Sequence, residues 1–140
     1  MNRSATSQRW GALDRLHRHV DTRIEKQLYE ELGVTTREYR ALITLSQPVI
    51  PPQHHIRAVA KATGLSASAT SRLLTRLHKR GMITVGTGRD RRTLDIQLTA
   101  KAHGLIRIGA PVLERSTAAA IASLDRSETD PYLLRFLEGW

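Results

Sequence analysis

Apolar residues recur at three- and four-residue steps along the first quarter of the chain: Trp10, Leu13, Leu16, Val20, Ile24, Leu28 and Leu32. This period predicts an amphipathic helix over 9–32, with a polar, frayed stretch at 1–8 before it. About six turns would project roughly 35 Å, more than one small core covers. Part of the stripe therefore predicts a second copy of the chain as its partner. Gly33 ends this helix, and Thr35-x-x-Glu38 forms a capping box that opens a second one through Leu45. Its buried candidates are Tyr39, Leu42 and Ile43. Three prolines within 46–55 exclude helix and predict a connector, with room for a short edge strand near His55–Ile56.

From Ile56 to Thr99 the pattern changes to short elements with sharp punctuation. Ile56, Val59 and Ala60 share one face of a helix over 56–63, and Gly64 fits the tight turn after it. Leu65 can plug the angle between the helices, and Ser66 offers a cap to the next one, which runs to about Arg80 before Gly81. Ala69, Thr70, Leu73, Leu74 and Leu77 point to the core. The opposite face carries Ser68, Ser71, Arg72, Thr75, Arg76 and Lys79, with no acid among them. An ordinary solvated face mixes signs; hydroxyls and cations alone suit phosphates and base edges in a major groove. Two β-leaning runs follow, Met82–Gly86 and Thr93–Leu98, the second alternating through Leu94, Ile96 and Leu98. Between them lies the hairpin tip Thr87-Gly88-Arg89-Asp90-Arg91-Arg92. Its arginines could simply keep a loop soluble, but directly after a basic helix they fit a narrow minor groove.

The distribution of charge sharpens this picture. The net charge is +9, and residues 54–92 hold nine Lys or Arg against the single acid Asp90, giving +8. The rest of the chain holds thirteen bases and twelve acids, giving +1. A generally basic or membrane-binding protein has no reason to sort its charge in this way.

The run Asp90-Arg91-Arg92-Thr93-Leu94-Asp95-Ile96-Gln97-Leu98-Thr99 matches the D-x-R-x5-L-T wing signature of the MarR family of transcription regulators. Leu65-Ser66-x-Ser68, Ser71-Arg72, Leu77 and Gly81-Met82-Ile83 resemble that family's recognition helix, and the flanking helices resemble its overall plan. Two residues depart from the pattern: Thr70 stands where a bulky aliphatic is usual, and Ala102 where a glycine commonly follows the L-T pair. The resemblance implies a wing in which Asp90 orients an arginine and Arg92 reaches DNA. It also implies repression by blocking RNA polymerase, and a ligand pocket between the dimer helices and the reading head. Trp10, His17 and Tyr39 are chemically suited to line that pocket for a small aromatic or phenolic effector, though plain core or interface packing accounts for them more simply.

After Thr99 a helix is expected through Leu105, Ile106, Val112, Leu113 and the alanine-rich 116–123, bent at Pro111 inside it. Asp125–Thr129 is a polar break, and Pro131 opens a last helix carrying Tyr132, Leu133, Phe136, Leu137 and Trp140. So many apolar side chains on a terminal segment predict docking, in a dimer interface. Other chemistry finds little support. There is no cysteine, which excludes disulfides and thiolate metal sites. H-E-x-x-H, P-loop and dinucleotide glycine motifs are missing, and Gly64–Ser68 fails the nucleophile elbow at its last position. His17 and His19, two apart on a helix, face different ways; His54 and His55 read as polar loop residues. No catalytic residue, metal site or cofactor is expected. No apolar run reaches the roughly 18 residues of a membrane helix and no signal-peptide core is seen, so a cytoplasmic protein is expected.

The expected fold class is mainly α with a small β-hairpin: a winged helix-turn-helix between N- and C-terminal dimerisation helices. The chain is expected to be a single domain over 1–140, with a DNA-binding lobe at 33–104 and dimerisation helices at 9–32 and 105–140. The expected partners are a second copy of the chain and double-stranded DNA. The reading residues are Ser66, Ser68, Ser71, Arg72, Thr75, Arg76, Lys79, Arg89, Asp90, Arg91 and Arg92. An architectural DNA-binding protein with little sequence preference is the competing class. The ratio of specific to random affinity at fixed salt separates the two.

Overall fold

A computed structural model describes residues 3–48, 51, 54–87 and 94–138 of the chain. Among these residues six helices and one hairpin follow in the order α1 Arg3–Leu32, α2 Thr36–Leu45, α3 His55–Thr63, α4 Ala67–Lys79, β1 Ile83–Thr87, β2 Leu94–Leu98, α5 Ala100–Ala122 and α6 Pro131–Leu137. The hairpin is antiparallel, with Ile83 opposite Leu98, Val85 opposite Ile96 and Thr87 opposite Leu94. This is a winged helix-turn-helix flanked by long helices, the fold class that the apolar pattern predicts.

Local chemistry sets most boundaries. The Thr35 hydroxyl accepts from the Glu38 amide at 3.1 Å, and the Glu38 carboxylate accepts from the Thr35 amide at 3.3 Å. Both halves of the expected capping box are therefore present. Gly64 turns the chain between α3 and α4 at φ 71°, a left-handed conformation that a Cβ disfavours. Ser66 caps α4, accepting from the Ala69 amide at 3.2 Å. At the other end the Gly81 amide donates to the His78 carbonyl and the Met82 amide to the Leu77 carbonyl, at 3.0 and 2.9 Å. This Schellman pattern consumes Met82, so β1 begins at Ile83, one residue later than the apolar run predicts.

Thr99 is the single residue between β2 and α5. Its amide donates to the Met82 carbonyl at 3.0 Å, and its hydroxyl donates to the Gly81 carbonyl at 2.7 Å. The same hydroxyl accepts from the Ala102 amide at 3.3 Å, capping α5. Pro111 is accommodated inside α5, which runs on to Ala122. Asp130 caps α6, with Pro131 in its first turn.

Three expectations are corrected. The polar stretch before Arg9 is helical from Arg3, because nothing between Ala5 and Gln8 breaks the hydrogen-bond ladder. No edge strand forms near His55–Ile56, since both residues belong to α3, and the sheet among the described residues has two strands. His55 is a buried residue at the start of that helix rather than a solvated loop residue.

The core joins the ends of several elements: Leu28 and Val34, Leu42 of α2, Val59 of α3, Leu73 and Leu77 of α4, Ile83 and Ile96 of the hairpin, and Val112 of α5. Thr70 is fully buried among them, and its hydroxyl donates to the Ser66 carbonyl at 2.8 Å. The polar group that replaces an aliphatic is thus satisfied within its own helix. His19 ties α1 to α5, with Nε2 at 2.9 Å from both the Ala120 carbonyl and the Ser123 hydroxyl. Tyr39 reaches from α2 to α5, where its hydroxyl donates to the Ile106 carbonyl at 3.1 Å. Burial pushes this phenol up from its ordinary pKa, keeping it a neutral donor at pH 7.

The Tyr39 ring lies so close to α5 that only a glycine fits beneath it. A Cβ on Gly109 would meet the ring carbon Cε2 at 2.4 Å. Gly109→Ala is therefore expected to destabilise the fold by about 1–3 kcal/mol, the usual range for overpacking. Tyr39→Leu, which removes the ring, should make the added methyl cheaper, so the two changes should be non-additive in a urea-melt cycle.

Candidate nucleic-acid interface

The two faces of α4 divide sharply. Thr70, Leu73, Leu74 and Leu77 are buried, while Ser68, Ser71, Arg72, Thr75, Arg76 and Lys79 are all exposed. Ser66 is exposed as well, and its hydroxyl serves as the helix cap, 3.3 Å from that of Ser68. Thr75 turns its hydroxyl to the Ser71 carbonyl at 2.9 Å. The structure therefore brings these residues onto one helical surface, as the periodicity requires. Arg89, Asp90, Arg91 and Arg92 lie outside the described residues. The strands that lead to that tip are placed, and Val85 and Leu94 near its end are 41% and 42% exposed.

Arg80 follows directly on this basic surface yet is used for a different purpose. Its guanidinium donates to the Glu38 carboxylate at 2.6 Å and to the Gly33 carbonyl at 2.8 Å. Glu38 is 6% exposed, so it sits where an unpaired carboxylate would be costly. Lys101 Nζ in turn donates to the Arg80 carbonyl at 2.8 Å, a cation at the C-terminus of α4. Charge counting over 54–92 cannot separate Arg80 from its exposed basic neighbours. The signal that finds it is its position: it is the C-cap residue, off the periodic exposed face.

A cavity of about 590 Å³ opens beside α4. Arg72 and Arg76 line it from α4, Arg37 and Arg40 from α2, and His17, Asp21 and Glu25 from α1. The residues expected to hold an effector are not gathered in one place. His17 lines this polar cavity, whereas Tyr39 lines an apolar one of about 930 Å³ with Ile43, Ile106, Leu113, Ile121 and Leu137. Trp10 is 70% exposed on α1. No group of three or more His, Asp or Glu among the described residues is placed to hold a metal ion. No helix among them is long and apolar enough to cross a membrane.

Fold and surface together define a winged helix-turn-helix whose fourth helix exposes a basic face. The sequence model of the MarR family matches residues 32–93, from the end of α1 to the wing. The match spans that lobe alone, and the whole chain takes the fold of solved regulators of that family. BldR, a transcriptional regulator from Sulfolobus solfataricus, is 16% identical with a TM-score of 0.74, covering 99% of this chain and 96% of its own. A MarR family transcriptional regulator from Streptomyces coelicolor, solved in complex with DNA, is 18% identical with a TM-score of 0.74. That alignment covers 99% of this chain and 84% of the other. A MarR family protein of Mycobacterium tuberculosis, solved with p-aminosalicylic acid, is 24% identical with a TM-score of 0.67. It covers 91% of this chain and 93% of its own. No curated protein is significantly similar in sequence.

Because Arg80 closes on Glu38, its removal should differ from removal of an arginine on the exposed face of α4. Arg80→Ala strands a buried carboxylate and should destabilise the fold by about 1–3 kcal/mol, allowing for the partial exposure of Arg80. The slope of log affinity for DNA against log salt should stay that of the parent, because no phosphate contact is lost. Urea melts and salt titrations of the one variant check both halves.

Proposed function

We propose that this chain is a homodimeric transcription regulator that binds a pseudo-palindromic operator and represses by occupying it. The observation that carries this reading is the exposed face of α4, all hydroxyls and cations, on a helix whose other face is fixed in the core. In this reading residues 66–79 enter a major groove, with Arg72 on a base edge, and Arg89–Arg92 reach the flanking minor groove. Asp90 holds one of those arginines by a charge-assisted hydrogen bond, since a free carboxylate there would repel phosphate.

Dimerisation rests on surface that one chain leaves open. Trp10 and Leu13 on α1 are 70% and 55% exposed, and Tyr132 and Phe136 on α6 are 63% and 68% exposed. Arg9 lies over the Tyr132 ring at 4.3 Å, so the two ends meet in one patch. A second copy covers that patch, and its two-fold axis sets half-sites about one helical turn apart. The effector in this reading is a small aromatic acid or phenol, and the apolar cavity beside Tyr39 is its place. The Mycobacterium tuberculosis relative with p-aminosalicylic acid supports that chemistry, as does a Bordetella bronchiseptica regulator whose DNA binding is regulated by 6-hydroxynicotinic acid.

Selection of bound duplexes from a random library, followed by footprinting with and without such acids, tests the reading. Comparable affinity for selected and random duplexes at one salt concentration would instead make this an architectural protein. Arg72→Ala should weaken operator binding by about 1–3 kcal/mol and relax preference at one base pair. An equal loss on random DNA would reduce Arg72 to a phosphate contact. Deleting residues 131–140 should convert the dimer to monomer or aggregate; a soluble dimer by light scattering would refute the assembly.

A further inference from the structure

The cavity beside α4 has a charge arrangement that base reading by α4 does not require. Arg72 and Arg76 of α4 face it together with Arg37 and Arg40 at the start of α2. All four are exposed, and among the described residues no ion pair engages any of them. Asp21 and Glu25 of α1 line the same groove without closing on the arginines. Four guanidiniums sharing one groove repel one another unless an anion comes between them. The groove is open along the reading helix, and two of its arginines also belong to the face assigned to DNA.

We infer that Arg37 and Arg40 extend the DNA interface onto α2, holding the phosphate backbone that flanks the major groove entered by α4. The inference rests on the proposed DNA reading and adds a second element to it. Guanidiniums three residues apart on one helix turn project to the same side. They are suited to successive phosphates of one strand, which Arg72 and Arg76 border from the α4 side. Asp21 and Glu25 repel the strand from α1 and so fix which wall of the groove it follows. Contacts of this kind set register and orientation and carry no base information.

Arg37→Gln/Arg40→Gln tests this on the full chain, with a thermal melt to confirm folding. Binding is measured on a selected operator and on a random-sequence duplex at several salt concentrations. The slope of log affinity against log salt should become shallower by about 1.8 per subunit, at about 0.9 per phosphate. Affinity should fall by the same factor on both duplexes, leaving operator preference intact. Asp21→Asn/Glu25→Gln should tighten binding to both. An unchanged slope in the arginine variant overturns the inference. So does a groove that serves only a small anion, seen as inorganic phosphate raising the melting temperature of the parent but not of the variant while DNA binding stays equal. The random duplex keeps the two readings separable: if no operator is preferred at all, the regulator reading fails while the slope still reports on the groove.

Discussion

The ion pair between Glu38 and Arg80 is the contact on which the placement of the end of α4 depends. A carboxylate that is almost wholly buried must be paired and hydrogen-bonded or it destabilises the fold. Glu38 meets that condition from two directions, through the Thr35 amide within its own helix and the Arg80 guanidinium at the end of α4. Arg80 then reaches the Gly33 carbonyl, and Lys101 reaches the Arg80 carbonyl. The end of α1, the start of α2, the end of α4 and the start of α5 are thereby joined through charged groups at one point. A helix end held like this cannot roll about its axis without stranding the Glu38 carboxylate. Which side chains of α4 face outward is therefore set partly by a contact that never faces outward itself.

The rest of the molecule divides into a finished half and an unfinished one. Around α2, α3, α4 and the hairpin, the large apolar side chains close on one another. On the outer reaches of α1 and α6 they do not, and aromatic rings lie open to solvent. The charge is divided in a matching way, with the excess concentrated between residues 54 and 92. One half carries nearly all the excess positive charge and the other the exposed aromatic rings.

The sequence was most readable where a boundary is decided by its own neighbours. The capping box at Thr35, the turn at Gly64, the cap at Ser66, the stop at Gly81 and the proline start at 131 are each written within a few residues. What could not be read locally depends on pairs far apart in the chain. Nothing near Arg80 announces Glu38, forty-two residues earlier. Nothing near Gly109 announces the Tyr39 ring. His55 could pass for a loop residue because the connector hides the start of α3. The division of α4 into a buried and an exposed face was legible, because periodicity alone sorts its two sides. The effector candidates were not, since Trp10, His17 and Tyr39 were grouped by chemistry, and the fold distributes them over separate surfaces.

The junction at Thr99 has a mechanical meaning. With one residue between β2 and α5, and that residue bonded to Gly81, Met82 and Ala102, the hairpin and the long helix have no hinge between them. At 23 residues α5 is a rod of roughly 35 Å. A tilt of α5 is passed to the base of the hairpin through Thr99, with no flexible linker there to absorb it. Whatever body grips the distal part of α5 therefore gains leverage over the hairpin without touching it.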